Sequence, residues 1–305
     1  MSAASLARLV LLGAIWGGSF ALIALAVPAF GPVALMALRV GLASLFLAAV
    51  GLALGHRLGF ARHARHYAFV GLVNSAIPFV LLALAAQHLP ASLLAVFNSL
   101  APTFAALLLT LWLGEPVAPR ARLGLLLGFL GVVALVAEAL LAASLDRTPG
   151  ILAAAVAAGL LAPFLYGVCG VYLRRHAERS PPAFANAWGS MIAASAALAP
   201  AAFILPPAAI PDAVAWGAAG LLGIVCTGVA YLLNFRLIAD LGPVRTMTVT
   251  FLIPLFGALW SVLLLGERLG PGLLLGTPLV LAGTALAALP APARADPLAK
   301  PPRAG

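Results

Sequence analysis

The sequence predicts an all-α integral membrane protein in which ten transmembrane helices form two inverted five-helix repeats. Three observations carry this. Of 305 residues, 64% are apolar and only 8% are charged, whereas a water-soluble domain carries about a quarter of its residues as Asp, Glu, Lys or Arg. Apolar runs recur along nearly the whole chain, each long enough, at ~20 residues, to cross a hydrocarbon core of ~30 Å as a helix. Landmark residues of the first half also return in the second at a fixed spacing. Strands are excluded at these lengths, because lipid offers no partner to unpaired backbone amides and only a helix pairs them within one segment.

In chain order, the first span is expected from Leu6 to Val27, up to the turn Pro28 to Pro32, and the second from Val33 to Leu54. Arg8, the apolar run behind it and Ala24-Leu25-Ala26 imitate a cleavable leader. Its removal would leave nine spans and break the duplication, so the segment is read as a span. A basic stretch leads into span three, Tyr67 to Gln87, and Pro90-Ala91 turns the chain into span four, Ser92 to Leu113. The turn Gly114 to Arg120 precedes span five, Leu123 to Ala142. The second set runs Gly150 to Tyr172, Ala183 to Leu205, Ala213 to Phe235 after the turn Pro206 to Pro211, Thr246 to Leu265, and Gly272 to Leu289. Proline, glycine and charge mark the junctions, as expected where apolar helices end. Two domains follow, residues 6–142 and 150–289, with a Pro-rich cytoplasmic tail, 290–305, expected to be disordered.

A net charge of +9 invites a nucleic-acid reading, so its distribution matters more than its size. With the N-terminus inside, Arg8, Arg57, Arg62, Arg65, Arg120, Arg122, Arg174, Arg175, Arg179, Arg236, Arg245, Arg294, Lys300 and Arg303 fall on the cytoplasmic side. Arg147 and Arg268 fall outside. Retention of positive loops produces this asymmetry, which puts both termini in the cytoplasm and the chain in a plasma membrane, read as a bacterial inner membrane. The basic stretch with His56, His63 and His66 lacks interleaved aromatics and acidic ligands, so neither nucleic acid nor metal is expected there. Cys169 and Cys226 lie within spans and imply no disulfide framework. No cofactor is expected.

When the chain is slid on itself until Pro102 meets Pro254, Phe104 meets Phe256, Gly114-Glu115 meets Gly266-Glu267, Pro119 meets Pro271, Gly124 meets Gly276 and Gly131 meets Gly283. A weaker match sets Trp16-Gly17 over Tyr166-Gly167 and Pro32 over Pro182. These matches describe a tandem duplication of a five-span unit. Because five is odd, the second unit enters the membrane upside down, with Glu115 facing the cytoplasm and Glu267 the outside. Inverted repeats suit secondary transport, since two similar halves that exchange conformations open a central site to each side in turn.

At these residues the chain resembles the drug/metabolite transporter superfamily, in particular its EamA-type ten-span members. The resembling residues are Ala14-Ile15-Trp16-Gly17-Gly18-Ser19-Phe20, Arg39, and Ala91-Ser92-Leu93-Leu94 leading to Pro102 and Leu113-Gly114-Glu115. In the second half they are Pro254-Leu255-Phe256 and Leu265-Gly266-Glu267-Arg268-Leu269. The resemblance covers Leu6 to Leu289 and implies a plasma-membrane carrier, often an exporter of amino acids, other metabolites or toxic compounds. It does not identify the cargo.

Candidate solute-binding positions are polar or aromatic residues inside spans. Pro102 and Pro254 are structural candidates, because each removes a helix hydrogen bond and frees the carbonyls of Asn98 and Thr250. Free carbonyls at membrane depth are tolerated only against protein or a wet cavity. Thr246, Thr250, Pro254, Gly257 and Ser261 share one helical face, and Asn98 with Pro102 the corresponding one; these stripes either line a passage or bond their own backbone. Trp16, Ser19, Asn74 with Ser75, Tyr166, and Tyr231 with Asn234 would complete the lining. Neutral amides, hydroxyls and rings suit a small amphipathic or amino acid-like solute.

Arg39 lies about 10 Å below the outer surface at ~1.5 Å per residue, where an arginine must pair, snorkel or serve function. Two readings stand. One is a structural ion pair with Glu138, at similar depth in span five; the other is reception of a solute carboxylate. No acid occupies a convincing midplane position, so proton coupling has no evident carrier and facilitated diffusion or exchange is simpler. Small-residue spacings such as Gly13 to Gly17, Gly124 to Gly128 and Gly272 to Gly276 allow close helix approach, within the chain or in a homodimer. The expected function is transport of a small metabolite, outward. An intramembrane enzyme is disfavoured because zinc, nucleophile-elbow and paired-acid motifs are missing. A non-transporting receptor or assembly factor is the remaining alternative.

Overall fold

The computed structural model describes residues 2–114, 119–142, 149–205, 207 and 209–288. Helix is the only regular structure among them. Ten longer segments follow in order: α1 (Ala3–Phe30), α2 (Pro32–Ala53), α3 (Phe60–Ala86), α4 (Ala91–Trp112), α5 (Pro119–Ala142), α6 (Pro149–Arg175), α7 (Ala183–Ile204), α8 (Ala213–Leu241), α9 (Val249–Leu265) and α10 (Pro271–Ala288). Eight are long and apolar enough to cross a membrane, while α9 and α10 are apolar but shorter. Large apolar side chains face outward, among them Leu45, Phe129, Phe203, Leu263 and Leu275. In water such a surface would aggregate; in lipid it is the solvated one.

The helices differ from the sequence expectation at several ends. The first continues through Pro28 to Phe30 and turns at Gly31, whose φ of 73° suits glycine. The third begins at Phe60, so much of the basic stretch is already helical, and His66 meets Asn186 at 2.9 Å. The fourth is broken: Ala91–Asn98 ends in a tight turn at Ser99-Leu100, and Ala101–Leu113 restarts with Phe104 N–H on the Leu100 carbonyl. In the ninth, Thr246 closes a separate turn, Pro243–Thr246, and the long helix starts at Val249. The expected tail 290–305 and the Glu115 turn lie outside the described residues.

The helix contacts repeat with the sequence. α1 packs on α9 and α6 on α4; α2 packs on α8 and α7 on α3; α5 packs on α10. In each case adding or subtracting five from the helix numbers gives the matching contact. Glycines show how close the approach is. A Cβ on Gly17 would come within 2.7 Å of Phe256 Cβ, and one on Gly167 within 3.1 Å of Phe104 Cβ, the position equivalent to Phe256. Between α5 and α10, Gly131 faces the Gly276 carbonyl and Gly124 that of Gly283. Since the earlier glycine on one helix meets the later one on the other, the pair runs antiparallel. The glycine spacings noted above in α1 and α5 are thus filled by helices of the same chain. Gly114 and Gly266 end the matching helices with φ of 68° and 66°, the left-handed cap that frees the chain to turn.

At one end of the bundle Arg8 meets Asp240 at 2.7 Å, and Arg236 meets the same carboxylate at 3.1 Å. Both arginines are substantially exposed. Solvent-exposed pairs contribute little, so Arg8→Ala is expected to lower stability by less than about 1 kcal/mol, measured by thermal unfolding in detergent.

Candidate solute site

A cavity of about 330 Å³ lies among seven helices, four from the first half (α1 to α4) and three from the second (α6, α8, α9). Its wall includes Trp16 and Ser19 of α1, Arg39 of α2, Asn74 of α3, Asn98 of α4, Tyr166 of α6, Tyr231 and Asn234 of α8, and Thr250 of α9. The structure therefore brings the eight sequence-nominated binding positions together, with Asn234 beside them. Phe20, Ile23, Phe79, Leu82, Ala101, Cys226, Thr227 and Ile253 complete the lining and were not singled out from sequence as lining residues. Phe20 and Thr227 lie one helical turn from Trp16 and Tyr231, a spacing that places them on the same face.

Two of the four helices that place asparagine or threonine here carry a widened π-type turn, Leu72–Ala76 in α3 and Leu221–Val229 in α8. Such turns recur at functional sites because they rotate side chains out of helical register. Asn74 sits in the first. In the second, the Thr227 hydroxyl donates to the Leu222 carbonyl five residues back at 2.8 Å and accepts the Arg39 Nε–H at 3.0 Å. Gly223 makes this approach feasible, because a Cβ there would come within 2.9 Å of the Arg39 carbonyl oxygen. Arg39 is buried and its guanidinium carbon stands 3.9 Å from the centre of the Phe79 ring.

The expected ion pair of Arg39 with Glu138 falls on a side chain outside the described residues. Arg39 itself binds Thr227 and stacks on Phe79, while α5 packs chiefly on α10.

The paired prolines act differently in the two halves. Pro102 sits in the first turn after the break in α4 and returns no N–H to Asn98, whereas Pro254 lies inside α9 and returns none to Thr250. The break in α4 is bridged by α10, where the Thr284 hydroxyl donates to the Ser99 carbonyl at 3.2 Å. The Thr246-to-Ser261 face does not line the cavity as a stripe. Thr250 does, with its hydroxyl donating to the Met247 carbonyl. Gly257 instead presses on Ala95, Ser261 is fully buried, and the Thr246 hydroxyl bonds the Gly242 carbonyl. The reason is geometric: above Ile253 that face is used to pack α9 on α1 and α4. Ser19 likewise donates its hydroxyl proton to the Trp16 carbonyl at 2.6 Å, so it offers lone pairs to the cavity.

On the opposite side of the bundle from the Arg8 cluster, as the chain path requires, Glu267 accepts from Ala91 N–H at 2.7 Å, Ser92 N–H at 3.2 Å and Ser92 Oγ at 2.7 Å. A carboxylate thereby caps the N-terminus of α4, where backbone donors have no helical partner.

Comparison with known proteins agrees with this architecture. The sequence profile described as "EamA-like transporter family" matches residues 4–137 and again 153–289. No curated protein matches by sequence. Among solved structures, one titled "Crystal structure of protein" superimposes with a TM-score of 0.64 at 23% identity, over 94% of this chain and 97% of that one. At that identity the likeness speaks to the fold alone.

Proposed function

The chain belongs to the EamA-like transporter family, and from that premise we propose that it moves a small amphipathic or amino acid-like metabolite outward by alternating access. Membership makes it a multi-pass membrane transporter of small solutes. The proposal adds a path: ten spans, two five-helix halves upside down in a bacterial inner membrane, and both termini in the cytoplasm. The observation that carries it is the cavity, which both halves line with polar groups and rings. A mostly apolar wall with a few polar anchors orients a solute without trapping it. The antiparallel crossing of α5 and α10 and the paired contacts of α1 with α9 and α6 with α4 support the inverted arrangement. Rocking one such half on the other exposes a fixed site alternately.

Counterflow in proteoliposomes tests the reading. Protein loaded with unlabelled candidate solute should accumulate labelled solute transiently. A panel of metabolites that binds without any exchange would instead favour a receptor.

A further inference from the structure

Arg39 is the one charged side chain among the described residues lining the cavity, and it is only 5% exposed. Its Nε–H is committed to Thr227 and its planar face to Phe79. Its two terminal amino groups make no hydrogen bond to any described residue. A buried guanidinium whose fork is left without an anion is costly, more so at membrane depth. The same fork matches a carboxylate bidentately. Among the described residues the site is therefore short of one negative charge.

Resting on the transport reading above, we propose that the solute is a small aromatic monocarboxylate whose carboxylate is received by Arg39. Charge counting selects the monoanion: it neutralises the guanidinium, whereas the ammonium of a zwitterion would find no carboxylate among the described residues of the wall. The rings select the body, since Trp16, Phe20, Tyr166 and Tyr231 surround the remaining space and favour offset or edge stacking. The volume of about 330 Å³ is roughly twice the ~150 Å³ that encloses benzene, room for a ring and a short acidic arm. Thr227 is a positioning residue, because its bond to Nε fixes which way the fork opens.

The same charge supplies a driving force. A monoanion leaving a cell that is negative inside moves with the membrane potential, and 100 mV sustains a concentration ratio of about 50-fold. Export then needs no proton-carrying acid, and none is found among the described residues that line the cavity.

Titration calorimetry of the purified full-length protein with 3-phenylpropionate, 3-phenylpropanamide and phenylalanine tests the assignment. The acid should bind at least tenfold more tightly than the amide or the amino acid. Arg39→Gln should remove that advantage, about 10- to 100-fold, while weakening the amide far less than the acid; Arg39→Lys should retain part of it. Thr227→Val should weaken the acid severalfold and spare the amide, which keeps the test open where the Arg39 variants fold poorly. Acid binding no tighter than amide binding, a preference for phenylalanine, or equal loss of acid and amide in Arg39→Gln would each overturn it. Proteoliposome counterflow separates the two levels. Acid bound through Arg39 without exchange would leave the site and remove the carrier reading; exchange of phenylalanine without acid binding would leave the carrier and remove the role given to Arg39.

Discussion

Gly17→Ala is expected to destabilise the protein by about 1–3 kcal/mol, the range of a core that must shift to admit an extra methyl group. The added carbon would stand 2.7 Å from Phe256 Cβ, 2.8 Å from the Gly257 nitrogen and 2.9 Å from the Ile253 oxygen. Two of these are backbone atoms of α9, so no rotamer change relieves the clash and the whole helix must move away from α1. That movement also separates Trp16 and Ser19 from Thr250 and Ile253 across the cavity, and the Trp260 indole N–H would be drawn from the Ala14 carbonyl it meets at 3.0 Å. Gly41→Ala is the matched control, because no atom lies within 4 Å of a Cβ there. It should leave the unfolding temperature unchanged or slightly raised. Thermal unfolding followed by size-exclusion chromatography in detergent distinguishes the two variants.

Glu267→Ala is expected to release one face of the bundle. The carboxylate accepts from three donors of Ala91 and Ser92, and hydrogen bonds to a charged group contribute about 1.5–3 kcal/mol each when partly buried, with non-additive sums. A net loss of about 2–3 kcal/mol is a reasonable scale for the cluster. These bonds tie the turn between α9 and α10 to the start of α4, so they join the halves on the face that the proposed orientation makes external. In sequence the matching positions of the second half offer fewer donors, because Pro243 stands at the position matching Ala91 and has no N–H, and Val244 matches Ser92 and has no hydroxyl. Weakening the bond set should therefore favour the outward-open arrangement specifically. Cys226 lies on the cavity wall, and a membrane-impermeant thiol reagent added outside should modify it at least tenfold faster in Glu267→Ala than in the parent protein. Unchanged labelling would show that this cluster does not hold the external face closed.

Much of this architecture was legible because lipid makes certain residues conspicuous. An asparagine such as Asn74 or Asn98 in an apolar run has no water to satisfy it, so its presence predicts a cavity or partner, and both line the cavity. The repeated Pro102/Pro254 and Gly114/Gly266 were readable for the same reason: residues that break helices are visible against a uniform background. Phe20, Phe79 and Ile253 were not readable as lining residues, since an apolar side chain looks alike whether it faces solute, protein or lipid. Thr227 was overlooked because a hydroxyl in a helix ordinarily bonds its own backbone; only the widened turn of α8 lets it do so and also receive Arg39. The break in α4 at Ser99-Leu100 is bridged by Thr284, from a helix far along the chain. Nothing local to Ser99 announces that partner.

If the two related halves sit upside down relative to each other, matching turns face opposite sides of the membrane, and side-specific cysteine labelling reads this out. Cys169 and Cys226 are buried, whereas Arg122 is exposed in the first turn of α5 and Arg268 in the turn that follows α9. In intact cells, an impermeant maleimide should label Arg268→Cys and reach Arg122→Cys only after the membrane is opened. Labelling of both from the same side would contradict the inverted arrangement and the rocking mechanism built on it.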